Sequence, residues 1–132
     1  MQNRISALLL VVCLALLSGC KDPTQESLAD DAASKMKDLA STLKGVTDES
    51  SAKAGAEKIK SISADLKKLK EQADKLPKPS PEQQKKIREK LESQTMETMQ
   101  TVMKEMSRIM QDPKLAGPIS QAMKDMSDGM KQ

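Results

Sequence analysis

Ten methionines stand among the 132 residues, and eight of them follow a helical spacing near the carboxyl end. Met96, Met99, Met103, Met106 and Met110 recur at three, four, three and four residues, and Met123, Met126 and Met130 repeat the three–four step. A thioether at such spacing has three uses. It packs as an unbranched apolar side chain that fills irregular gaps, or it lines a surface that accepts varied apolar partners. As a soft neutral donor it binds Cu(I), two sulfurs three or four residues apart converging on one ion. The spacing fits the first use, a buried seam widened by Val102 and Ile109. Exposure separates it from the other two. The metal alternative rests on Met96, Met99, Met103, Met106 and Met110; apart from these no metal ligands are expected. Reversible oxidation to the sulfoxide would make the same stripe a sink for oxidants.

The remaining chemistry is sparse. The chain has no His and no aromatic ring. That excludes imidazole acid–base catalysis and His metal sites, and no ring can stack on a base, so no nucleic-acid partner is expected. Asp30-Asp31 and Asp48-Glu49 are adjacent carboxylates, but neighbours in sequence rarely face one reacting atom; they read as charges at helix amino ends. Five scattered glycines build no phosphate loop. No enzyme is expected.

The two cysteines, Cys13 and Cys20, lie at the amino end. Arg4 precedes an apolar run from Ile5 to Leu17, which is too short to span a bilayer, since a spanning helix needs about 20 residues. A basic start followed by an apolar stretch of this length reads as a secretory signal peptide. Its end, Leu17-Ser18-Gly19-Cys20, resembles the lipobox of bacterial lipoproteins. The resemblance implies cleavage before Cys20, a diacylglycerol thioether on its sulfur and an N-acyl chain (palmitate) on its new amino group. Several acyl chains give firm anchoring where one gives marginal binding. Lys21 with Asp22 next, rather than Asp directly after the cysteine, implies by analogy with enterobacteria an outer-membrane lipoprotein facing the periplasm. The mature chain then has no free thiol and no disulfide, so packing or a partner must stabilise it.

Ala, Lys, Glu, Gln, Leu and Met dominate beyond Cys20, and no period-two run of β-branched residues occurs. Residues 1–19 are read as signal peptide, 20–25 as lipidated tether and 26–132 as one all-α domain. Helices are expected at about 25–44, 49–76, 81–111 and 118–130. Leu28, Ala32, Met36, Leu39 and Leu43 mark one face of the first, and Gly45 ends it. Thr47 and Asp48 are cap candidates for the second. Its Ile59, Ile62, Leu66, Leu69, Ala73 and Leu76 form a heptad seam, extended by the small Ala52 and Ala56. Gly45-Val46-Thr47-Asp48 with Ser51-Ala52-Lys53 is similar to uncharacterised helical bacterial secreted proteins, a likeness that carries no activity. Pro77, Pro79 and Pro81 break the second helix, and Ser80 caps the third. This proline stretch is expected to reverse the chain into a helical hairpin of the two long helices. Asp112-Pro113 ends the third helix, and Gly117-Pro118 is expected to be another turn. The expected architecture is an antiparallel hairpin or coiled coil thickened to a three- or four-helix bundle, with a dimerising coiled coil as the alternative.

Charge is unevenly spread. Residues 21–50 carry four basic and seven acidic groups, and residues 51–90 twelve and six. The bland reading is a solvated exterior laced with pairs such as Glu71–Lys75 and Glu82–Lys86, with the acidic first helix beside the basic second one. The functional reading is a basic tip around the prolines that meets an anionic surface. The expected role is non-catalytic, a binding or structural protein held at the membrane by its lipid, with a protein partner or self-association.

Overall fold

The computed structural model describes residues 23–130; the expected signal peptide (1–19), the lipid-attachment candidate Cys20 and the last two residues lie outside them. Four helices follow in order: α1 Gln25–Lys44, α2 Glu49–Lys75, α3 Pro81–Met110 and α4 Pro113–Met130. The protein is an all-α helical bundle, without a strand among the described residues. At 1.5 Å per residue the long α3 spans about 45 Å and the short α4 about 27 Å.

Each start is chemically marked. Thr24 Oγ1 accepts from Ser27 N at 3.1 Å while Thr24 N donates to Ser27 Oγ at 2.9 Å. Asp48 and Ser51 form the same reciprocal box, as do Ser80 and Gln83. These contacts satisfy amide groups that a helix leaves orphaned at its first turn. Of the two candidates in the first turn, Asp48 is the cap. Gly45 does end α1, but with φ −75°, so it closes the helix in right-handed geometry.

The expected turn at Gly117-Pro118 does not form. α4 begins at Pro113, whose ring fits the first helical position. Asp112 Oδ1 accepts from Lys114 N at 2.9 Å, and the Asp112 carbonyl accepts from Leu115 and Ala116. Pro118 sits inside the helix. Its missing N–H costs one backbone bond, and continuing the helix places Leu115 and Ile119 on one buried face.

The helices alternate in direction, yet neighbours in sequence are not always neighbours in space. α1 and α2 form an antiparallel hairpin, tied by Gln25 Nε2 to the Ala73 carbonyl at 2.9 Å and by Lys35 to Asp65 at 2.9 Å. α3 packs against α1, and α4 against α2; α2 and α3 do not touch. The contacts run in parallel register. Lys90 of α3 meets Glu26 and Asp30 near the start of α1, and Arg108 reaches the Leu43 carbonyl near its end. The proline stretch is therefore a diagonal crossover, and the expected hairpin of α2 with α3 is corrected to pairings of α1 with α3 and α2 with α4. The rigid Leu76–Ser80 segment carries the chain past the amino end of α1, so Pro77 and Pro79 lie beside Pro23 and Gln25. Antiparallel packing of α3 on α4, joined by Gln111-Asp112, completes the bundle.

The core is aliphatic. Leu39, Leu43, Val46, Ile59, Ile109 and Ile119 are its largest fully enclosed side chains. Val46 is buried where α1 gives way to α2. Gly55 lets α2 approach closely: a Cβ there would stand 3.0 Å from Val46 Cγ2 and 3.4 Å from Ile119 Cδ1.

Charge pairing differs from the expected arrangement. Glu26 and Asp30 of α1 turn to α3, whereas α1 meets α2 through its own base, Lys35 on Asp65. Glu82–Lys86 forms at 3.4 Å; Glu71 and Lys75 do not pair. Hydrogen bonding to Lys35 holds the Asp65 carboxyl below its ordinary 3.8, and Ser51 does the same for Asp48. Bonds to Asp65 raise Lys35 above its ordinary 10.5, and bonds to Asp30 and Glu26 raise Lys90. A depressed carboxyl stabilises the fold above its unfolded value and stops doing so as pH falls through the folded one. A raised lysine stabilises below its unfolded value and stops as pH rises through the folded one. With no His between these limits, the melting temperature is expected to stay level from about pH 5 to about pH 9 and to fall on both sides. Circular dichroism melts across that range check this, and Asp65→Asn should blunt the acid-side decline.

Candidate functional site

α3 carries the methionines, and its orientation decides their use. Its buried residues are Thr98, Val102 and Ile109. At about 100° per residue these three lie within about 40° of one another around the helix. Lys90 and Arg108 are five turns apart on one flank, about 120° from Val102. That flank is taken by α1. The Arg108 guanidinium donates to the carbonyls of Leu43 at 3.2 Å and Val46 at 2.8 Å, and its Nε to Glu105 at 2.8 Å. It thereby ties the end of α1 to the link before α2, where Val46 N also donates to the Leu43 carbonyl at 3.2 Å.

The methionines occupy the other flank. Met96 is 63% exposed, Met99 45%, Met103 65% and Met110 50%. Met106 alone of the five is partly buried and packs on the core, as do Met123 and Met126 of α4, while Met130 is 40% exposed. The expectation of a buried methionine seam is thus corrected for Met96, Met99, Met103 and Met110. The branched side chains of Val102 and Ile109, at 6% and 0% exposure, hold the centre of the face, and the methionines stand beside it as a ridge. One contact joins the ridge to α4: Ser120 Oγ donates to Met110 Sδ at 3.4 Å.

Of the five candidate metal ligands, the structure therefore leaves four thioethers facing solvent on one strip. Among the described residues no three His, Cys, Asp or Glu side chains converge. Among the described residues no helix is long and apolar enough to cross a membrane. Cys20, the lipid-attachment candidate, lies outside the described residues, but Pro23 places the emerging amino end beside the proline crossover. Sequence reasoning missed two residues that orient the ridge, Lys90 and Arg108. Their signal was present: two bases 18 residues apart share one side of a helix.

Compared with known proteins, the chain matches no family model, no curated protein and no solved structure. The class the coordinates define is an all-α four-helix bundle with an exposed methionine ridge.

The ridge should tolerate charge where the core does not. Met103→Lys is expected to change stability by no more than about 0.5 kcal/mol, as for other surface substitutions. Ile109→Ala should cost about 2–4 kcal/mol through lost burial and the cavity left behind. Urea unfolding of the two variants checks both values.

Proposed function

We propose that this chain is a lipid-anchored, non-catalytic binding protein of the bacterial cell envelope, held by a diacylglycerol thioether and an N-acyl chain on Cys20. Lys21 after the cysteine favours the outer membrane and a body facing the periplasm. The mechanism is display: the lipid fixes the amino end, and the bundle offers the methionine ridge to an apolar segment of a protein partner.

The observation that carries the binding role is the exposure of Met96, Met99, Met103 and Met110 beside a core that is already complete without them. Side chains of this kind adapt to varied apolar surfaces, because three rotatable bonds and a polarizable sulfur let them repack. The lipobox supports the anchor, and it is tested separately. Acyl labelling in cells is expected to be lost in Cys20→Ser; labelling that persists would contradict the anchor.

Cu(I) handling is the second reading, favoured by the same solvent-facing thioethers at three- and four-residue spacing. Anaerobic Cu(I) competition distinguishes the two. The binding role predicts no uptake at micromolar affinity. Uptake that disappears when Met99, Met103 and Met106 are replaced by Leu, with helicity retained, would transfer the ridge to metal handling.

A further inference from the structure

The crossover brings three things to one end of the bundle. Pro23, Thr24 and Gln25 line an open cleft of about 470 Å³ together with Leu76, Pro77, Pro79 and Ile87, and Lys78 and Lys86 stand at its edge. Cys20 precedes Pro23 by three residues, a reach of at most about 10 Å. The segment from Lys75 to Lys90 holds six basic residues and two acidic ones, Glu82 and Glu89.

Counting Glu71 and Asp74 as well, residues 67–90 hold nine bases against four acids, so this end stays basic. Glu26 and Asp30 are both drawn onto Lys90. Lys85 and Lys86 meet Glu89 and Glu82 only at 3.8 and 3.4 Å, with all four side chains largely exposed. Such pairs are easily exchanged for another anion. Lys75, Lys78 and Arg88 form no ion pair among the described residues. The opposite end is nearly balanced: Lys44, Lys53, Lys104, Arg108 and Lys114 stand against Asp48, Glu49, Glu105 and Asp112.

We propose that the proline end is a basic foot that sits on an anionic phospholipid surface, with the cations at headgroup level and Leu76, Pro77, Pro79 and Ile87 turned to the interface. The proposal rests on the anchor reading for its geometry, because a lipid on Cys20 holds this end, rather than the opposite one, within a few residues of the bilayer. Cations near an anionic leaflet are attracted within a screening length. The foot then fixes the bundle upright, and the methionine ridge farther along α3 projects away from the membrane.

The test uses the full chain purified from membranes and placed in phosphatidylglycerol/phosphatidylcholine vesicles or in phosphatidylcholine alone. Lysine acetylation is read residue by residue. In anionic vesicles Lys75, Lys78, Lys85 and Lys86 should be acetylated roughly fivefold more slowly than Lys44, Lys53 and Lys114, as expected for about 1 kcal/mol per cation. The protection should vanish in neutral vesicles and at about 1 M salt, where the screening length is about 3 Å. A variant with Lys78→Gln, Lys85→Gln and Lys86→Gln should keep its helicity and lose protection at Lys75. Equal acetylation of the two ends in both vesicle types would overturn the foot. The mass of the peptide containing Cys20 reads the anchor independently: an unacylated Cys20 overturns that reading, while salt-sensitive protection of the same lysines still upholds the foot.

Discussion

The placement of α3 along α1 is the contact on which the rest of the structure depends. Lys90 meets Glu26 and Asp30 near one end of α1, and Arg108 donates to the Leu43 and Val46 carbonyls near the other. Each tie is partly exposed, and such pairs contribute little to stability. Burial of Val102 and Ile109 supplies more, at about 1.5–3 kcal/mol for a fully enclosed aliphatic side chain. The polar ties add direction: they set parallel register and fix which flank of α3 meets α1. α2 is left to pair with α4, and the methionines lie on the flank away from α1, where Met110 meets Ser120 of α4.

Helix limits were legible in the sequence because caps and breakers are local. Thr24, Asp48 and Ser80 act within three residues, so α1, α2 and α3 fall within a residue or so of the expected spans. Partner choice was not legible, because a heptad seam says that a face is buried without saying against what. Pro118 misled for a related reason. A proline ordinarily stops a helix, and only the burial of Leu115 and Ile119 outweighs that local preference. The methionine stripe misled through its regularity. Spacing marked the flank correctly, but Val102 and Ile109, branched and better enclosed, hold the core.

The all-aliphatic composition gives these choices functional weight. Without aromatic rings, and with no cysteine among the described residues, the bundle draws its stability from small-residue approaches such as Gly55 and from a core of Leu, Ile and Val. Four large apolar side chains can remain outside that core without loss of packing, which is the physical basis for reading them as a binding surface. The proposed anchor and foot lie at one end of α3, and the ridge lies toward the other. Attachment and recognition are thereby separated along a single helix about 45 Å long.

Which flank of α3 faces solvent is measured most directly by graded peroxide oxidation of the folded protein, with each methionine followed by peptide mass spectrometry and helicity by circular dichroism. Met96, Met99, Met103 and Met110 should convert to the sulfoxide first, ahead of Met106, Met123 and Met126, while helicity stays constant. Protection of Met96 and Met103 equal to that of Met106, or loss of helix in step with their oxidation, would contradict the account.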